Sequence, residues 1–451
     1  MNKINFIPAN MPGCQMMSNL NYVPASIGID APLINTKIAD TKYVPASFPS
    51  GPGVYNNSGT PQSRGPGCEY TLATSGHVLN INHLNYIPCS TSVAPGCPGA
   101  VESTVNKLSW WEEQSFFKYP FMLISAYYGM KWRDNFREFF NIPDDFIIIG
   151  DSGGFQNMTQ NANLDPVSVL RWQEKHCQIG LTFDCPILKD DTKEIKQKKQ
   201  INTVTNAYEA LNNRQNDKLK LFAVIQGHDI NEQKFIFDEY KKQGDLNKFD
   251  GFAIGGMVPI AGNLSLVTQI LVTFLENVKE YNKPVHFFGI SGSNIIPVII
   301  YMQQKYNIPI TFDSSSYGAG AIRREFWLDN AKIKIDFGKE GNNLKKLPCG
   351  CPVCSVCTPE VYSQDGSLSG GLISLHNLHE TLKYVDTVKV LSDDINLFKE
   401  YIKKYCKEGV LRCIELVDYN LSNGIEKTSK KYNFIKSKEV SKTPSLMKFV
   451  K

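Results

Sequence analysis

No run of about 18 apolar residues occurs in the sequence, so no membrane-spanning helix is expected. The first residues, MNKINFIPANMPGC, lack the long apolar core of a secretory signal. A marked charge imbalance is missing too. The formal net charge is +4 over 451 residues, which by itself argues neither for nor against a polyanionic partner. No Walker motif is present, and no Gly-x-Gly-x-x-Gly follows a strand and opens a helix, so the usual phosphate-loop and dinucleotide readings are not available. A disulfide framework is also absent. Of twelve cysteines, four crowd into Cys349–Cys357, which is metal-site spacing and fits a reducing cytoplasm.

What is present falls into three textures. Residues 1–105 are rich in Pro, Gly, Ser and Asn and poor in charge. A short phrase recurs there: Asn5-Phe6-Ile7-Pro8-Ala9, Asn21-Tyr22-Val23-Pro24-Ala25, Lys42-Tyr43-Val44-Pro45-Ala46 and Asn85-Tyr86-Ile87-Pro88-Cys89. The irregular spacing excludes a solenoid. Each copy reads either as a short strand stopped by Pro or as part of a low-complexity extension, and the last copy is a candidate first strand of the main domain. Residues 106–423 alternate apolar β-rich runs with amphipathic stretches. From Gly424 to Lys451, eight Lys face two Glu. That basic tail reads as a solvated terminus or as a phosphate-contacting segment.

Within the middle region the expected strands are 121–126, 146–150, 180–183, 219–225, 251–254, 285–290 and 309–312. The expected helices between them are 105–116, 132–140, 166–176, 192–213, 232–243, 264–280 and 294–306. Strict alternation over this length predicts an α/β fold, a (β/α)8 barrel of the TIM type, with an open doubly wound sheet as the alternative. Polar or glycine residues follow the strands: Asp151, Asp184, Gln226-Gly227, Gly255-Gly256, Ser291-Gly292 and Asp313. One such residue is readily a helix cap. Six at successive strand ends describe the mouth of a barrel, where active sites are built.

Three carboxylates then converge: Asp151, Asp184 and Asp313. A pair flanking a glycosidic carbon can divide nucleophilic and acid/base work, and a third can accept from a base's N–H groups. Gln226 adds a donor and an acceptor. The Gly153-Gly154 and Gly255-Gly256 pairs let a flat ligand approach the backbone, which suits a purine better than a sugar phosphate. Separately, Cys349-x-Cys351-x2-Cys354, followed after 21 residues by His376, predicts a closed structural zinc site, one ion per chain, in a subdomain at about 341–380. Cys357 is an alternative ligand by spacing, and His379 a weaker competitor.

These residues carry a family resemblance. The motifs Asp151-Ser-Gly-Gly-Phe-Gln156, Phe183-Asp184-Cys185-Pro186, Val224-Ile225-Gln226-Gly227, Ile254-Gly255-Gly256-Met257, Phe312-Asp313-Ser314 and the CxCxxC…His set resemble the tRNA-guanine transglycosylase superfamily, in that family's order. The resemblance implies a barrel with a zinc-bearing insertion near its C-terminal end, and exchange of guanine for a 7-deazaguanine such as preQ0 in a polynucleotide. It implies Asp313 as the nucleophile at C1′ and Asp151 as the acid/base group. Asp184, Gln226, Gly255, Gly256, Ser152 and Gly153 would surround the base, with Phe155 or Met257 against its ring.

The run Asp313-Ser-Ser-Ser-Tyr317 is nearer the family's archaeal pattern than its bacterial one, while the first hundred residues fit neither tRNA branch. The mixture resembles the DNA-modifying branch. It gives DNA as the expected polymer and tRNA as the alternative, in the cytoplasm of a bacterial cell or phage-infected host, with no membrane partner and with a homodimer allowed. Two further readings stand beside it: a catalytically silent nucleic-acid-binding subunit and an unrelated barrel hydrolase. Among smaller features, Arg323-Arg324 and Lys345-Lys346 read as phosphate contacts or as solvated surface. Trp110-Trp111 read as packing or base stacking, His228 as a donor behind Gln226 or a packing residue, and His286 as structural.

Overall fold

A computed structural model describes residues 86–90 and 109–434, apart from 112–114, 120, 131–135, 161, 189, 329–332, 337–346, 358 and 364–366. The first three copies of the repeated phrase, Lys345-Lys346 and most of the basic tail lie outside the described residues.

Eight parallel strands follow one another in sequence order around a closed barrel. They are β1 (Tyr86–Ser90), β2 (Phe121–Ser125), β3 (Ile147–Asp151), β4 (Ile179–Leu181), β5 (Lys220–Gln226), β6 (Gly251–Gly255), β7 (Val285–Phe287) and β8 (Ile310–Ser314). β1 falls inside the last copy of the repeated phrase and pairs with β2, Cys89 opposite Leu123. By internal packing the described residues form two compact units, each gathered from separate stretches. One takes residues up to Ile124, Tyr128–Ile148 and Ser314–Val390; the other takes Ser125–Tyr127, Ile149–Asp313 and residues from Leu391 onward.

In the second unit, β3 to β8 pair in register along the chain. Their interiors are continuous apolar runs, such as Phe222-Ala223-Val224-Ile225 on β5, buried throughout. That is the composition of strands covered on both faces. The connecting helices are α1 (Gly154–Gln160), α2 (Pro166–His176), α3 (Lys193–Asn213), α4 (Ile230–Gln243), α5 (Leu264–Val278) and α6 (Ile295–Tyr306). Their starts are chemically marked. The Asp165 carboxylate accepts from Val167 and Ser168 backbone N–H groups, with Pro166 in the first turn; Thr192, Asp229 and Asn263 cap α3, α4 and α5 in the same way. Each such cap contributes about 1 kcal/mol. Expected boundaries hold to within a residue or two for α2, α3, α4 and α6. α1 and the helices after residue 406 were not expected.

In the first unit, α7 (Ser316–Ile322) precedes an antiparallel pair, β9 (Glu325–Leu328) with β10 (Ile333–Asp336), and the long helix α8 (Ser367–Ser392). The expected helix at 105–116 is not found: among its described residues, Trp110 and Trp111 lie in a turn and Ser115-Phe116 in a bend. The reason is side-chain chemistry. The Trp110 indole donates to the Phe121 carbonyl at 3.3 Å and that of Trp111 to the Phe140 carbonyl at 2.9 Å. Their apolar pattern reflects ring packing rather than a helical face, and both are buried, which removes the base-stacking reading. Among the described residues no helix is long and apolar enough to cross a membrane.

Candidate active site and metal centre

The second unit gathers the three carboxylates. Asp151 ends β3, and its Oδ2 accepts from the Gly153 N–H at 3.2 Å. Ser152 turns its hydroxyl to Asp184, donating to Oδ1 at 2.7 Å, and accepts from the Gly154 N–H at 3.1 Å. The Gln226 amide, at the end of β5, donates to Asp184 Oδ2 at 2.6 Å. This close assembly requires glycine at position 154, where a Cβ would overlap the Asp184 backbone oxygen and carboxylate. Asp184 is buried, with one protein donor on each oxygen. Burial pushes its carboxyl up, and the bonds from Ser152 and Gln226 oppose that.

Asp151 is half-buried and pushed up to about 7. Burial is the main cause, followed by the negative charge of Asp184 and, less, that of Asp313; the bonds from Gly153 and Ser125 act the other way. Asp151 can therefore hold and release a proton near neutrality, as an acid/base group must. Asp313 sits on β8, buried, and among the described residues both of its hydrogen-bond contacts are on Oδ1: the Gly289 N–H at 2.7 Å and His286 Nε2 at 3.2 Å. Gly289 adopts φ +72°, a left-handed conformation open to glycine, which turns its N–H onto the carboxylate. This turn is why β7 stops at Phe287 and not at the expected residue 290.

The remaining expected site residues divide. Gly255 ends β6, and the Gly256 carbonyl accepts from His228 Nε2 at 3.1 Å, so His228 stands behind the loop that carries Gly256. Gln226 Oε1 is buried with no hydrogen-bond partner among the described residues, an acceptor available to a ligand N–H. Phe155, at the start of α1, is 43 % exposed and has a free face to offer a ring. Met257 is wholly buried and leads into a 3-10 turn, Val258–Ile260. His286, Gly289 and Thr311 were missed as site residues.

The first unit holds the metal-binding constellation. The ligand atoms of Cys349, Cys351, Cys354 and His376 all lie within 4.8 Å of one another. His376 Nδ1 is 3.5 Å from Cys351 Sγ and 3.3 Å from Cys354 Sγ. Ligand-to-ligand spacings of this size suit a tetrahedral ion with metal–sulfur bonds of about 2.3 Å. The tautomer agrees. His376 Nε2 lies 2.6 Å from the Trp327 carbonyl, which can only accept, so the proton is on Nε2 and the Nδ1 lone pair faces the sulfurs. Phe326 stacks on the imidazole at 3.5 Å and 4°, fixing its plane.

Backbone N–H groups of Cys351 and Cys354 point at Cys349 and Cys351 sulfurs, each at 3.4 Å. Burial pushes the Cys351 and Cys354 thiols up, while hydrogen bonds from those two thiols pull Cys349 down, so one thiolate is held by its neighbours and a full set of three calls for a cation. Cys357 and His379 are outside the group. The Cys357 thiol is pushed up to about 12 by burial, and His379 Nδ1 lies 3.8 Å from Glu380. Nearby, Arg323 is committed to Glu325, at 2.9 and 3.1 Å, and Arg324 donates to the Tyr362 carbonyl at 2.6 Å. Both guanidiniums thus have partners within this unit.

The family model described as "Queuine tRNA-ribosyltransferase" matches residues 130–408. Among curated proteins, the chain is 27% identical over 296 residues to the tRNA-guanine(15) transglycosylase of Methanococcus vannielii, covering 64% of this chain and 42% of that protein. It is 28% identical over 270 residues to the enzyme of the same name from Methanococcus aeolicus, covering 58% of this chain and 39% of the relative. The namesake from Methanocaldococcus jannaschii is 28% identical over 267 residues, covering 56% and 38%. The chain thus spans well under half the length of these relatives. With the family match extending over more than half of the sequence, the chain belongs to the queuine tRNA-ribosyltransferase family, within the tRNA-guanine transglycosylase superfamily.

Proposed function

We propose that the chain exchanges guanine in a polynucleotide for a free guanine or 7-deazaguanine base, through a covalent bond to Asp313. The observation that carries this reading is Asp151, a carboxyl raised to about 7 within reach of the charge of Asp313, a second carboxylate held by a backbone N–H. In the first half-reaction an Asp313 oxygen attacks C1′, the glycosidic C1′–N9 bond breaks, and the departing guanine takes a proton from Asp151. In the second, Asp151 accepts the N9 proton of the incoming base, N9 attacks C1′, and the C1′–Asp313 bond breaks with its electron pair returning to the carboxylate. Atoms and charge balance without an external cofactor at the reacting carbon.

In this reading Asp184 accepts from the N–H groups of the base edge, Gln226 Oε1 accepts a further one, Gly256 gives backbone contact, and Phe155 lies against the ring. The target nucleotide leaves its stack to reach the strand ends. Zinc is the cation proposed for Cys349, Cys351, Cys354 and His376. Four protein ligands close its coordination sphere, so it supports the fold and takes no part in the reaction.

The relatives' names support tRNA as the polymer rather than the DNA expected from the sequence. The test is incubation with labelled guanine and, in separate vessels, tRNA and duplex DNA. Label in tRNA is the expected result. Label in DNA alone keeps the chemistry and changes the polymer. Label in neither, with folded and metal-loaded protein, overturns base exchange.

A further inference from the structure

We propose that His286 is a positioning residue for Asp313: it pins Oδ1, reserves Oδ2 for C1′, and steadies the carboxylate as it leaves the sugar. The inference rests on Asp313 being the nucleophile.

The geometry is specific. His286 and Thr311 are paired in register on β7 and β8, and both are buried. His286 Nε2 is 3.2 Å from Asp313 Oδ1, and an ionised carboxylate can only accept, so Nε2 donates. Nδ1 lies 2.9 Å from Thr311 Oγ1, and that hydroxyl is also 3.1 Å from the Val285 carbonyl. The Thr311 proton can turn to Nδ1 or to Val285. The imidazole is therefore satisfied whether neutral or doubly protonated, and Nε2 donates to Asp313 in both states. Phe288 packs edge-on to the ring at 4.9 Å and 89°, which holds its plane. With the Gly289 N–H on the same oxygen, Oδ1 has two donors, and among the described residues no protein donor falls on Oδ2.

The consequence is asymmetric between the half-reactions. When Oδ2 bonds to C1′, Asp313 becomes an ester whose carbonyl is Oδ1, and the two donors face a weaker acceptor. When the incoming N9 attacks C1′, the C1′–Oδ2 bond breaks and the electron pair returns to the carboxylate. The donors then strengthen as negative charge develops on Asp313. His286 thus assists discharge of the covalent intermediate more than its formation.

The test compares His286→Phe, which keeps a flat ring without a donor, with His286→Gln, which can present an N–H toward the same oxygen. Adduct formation with the polynucleotide is followed without added base, and discharge is then followed after a pulse of guanine. For His286→Phe, discharge is expected to slow about tenfold to a hundredfold, formation to change much less, and adduct to accumulate. His286→Gln is expected to recover most of the discharge rate. Unchanged discharge in His286→Phe, or equal loss in both half-reactions and in both variants, overturns the proposal. A second measurement needs neither turnover nor a folded variant: nitrogen NMR of the wild-type imidazole, in which Nε2 is expected to carry a proton. An unprotonated Nε2 overturns the proposal. Absence of any adduct in wild type with a protonated Nε2 counts instead against Asp313 as nucleophile, and so against the inference resting on it.

Discussion

The molecule buries two clusters of acidic groups and treats them in opposite ways. In the carboxylate cluster the protein supplies the donors: Ser152 and Gln226 to Asp184, Gly153 to Asp151, and Gly289 and His286 to Asp313. Burial then leaves Asp151 able to titrate near neutrality. In the thiolate cluster the donors among Cys349, Cys351 and Cys354 are backbone N–H groups at 3.4 Å from sulfur, with the Tyr362 hydroxyl 3.5 Å from Cys354. Donors this weak do not compensate three thiolates, two of them buried, and a divalent cation does. One cluster is built to exchange protons and the other to hold an ion. Loss of a member should therefore remove activity in the first case and fold in the second.

The largest expected effect is on activity alone. Asp313→Asn should lower exchange by three orders of magnitude or more, about 4 kcal/mol of barrier, with a melting temperature close to wild type. A comparable activity loss accompanied by unfolding would erase the contrast. Next, Cys354→Ser or strong chelation should destabilise the metal-bearing unit by on the order of several kcal/mol, seen as lost bound zinc and lower yield of folded protein. A metal-free protein with an unchanged melting curve would remove the structural role of the ion.

Asp151→Asn should slow exchange about a hundredfold and also change stability with pH. The sign follows from its raised carboxyl. The folded state keeps a proton that the unfolded chain releases near 3.8, so this group's contribution is full below about 4 and is lost as pH rises toward about 7. The Asn variant should therefore gain stability relative to wild type at pH 8 and not at pH 4, by a few degrees in melting temperature. Phe155→Ala should raise KM for the base about tenfold, one stacking contact of about 1.4 kcal/mol, with little change in kcat. The smallest effect belongs to Cys357→Ser, which should leave bound zinc unchanged because Cys357 lies outside the ligand group.

Much of this was legible in the sequence where one residue type has one physical use. Runs such as Phe222–Ile225 read as buried strands between polar ends, and apart from the end of β7 they were found to within a residue or two. Three cysteines at tight spacing with a later histidine point to a metal cluster, and spacing alone left Cys357 and His379 undecided. The structure brings Cys349, Cys351, Cys354 and His376 within 4.8 Å of one another and leaves those two outside the group. What failed depended on tertiary partners. Trp110 and Trp111 mimic a helical stripe because their indoles bond to distant carbonyls. His286 is a lone histidine in an apolar strand, and only the register of β7 against β8 puts it beside Thr311 and Asp313.

The central claim is the covalent bond between Asp313 and the sugar. Intact mass of the denatured protein after mixing with tRNA tests it most directly. The account predicts a protein–RNA adduct in wild type that disappears when guanine is added, and no adduct with Asp313→Asn. An adduct that survives the Asp313→Asn substitution, or guanine exchange in wild type with no adduct at any time, would contradict it.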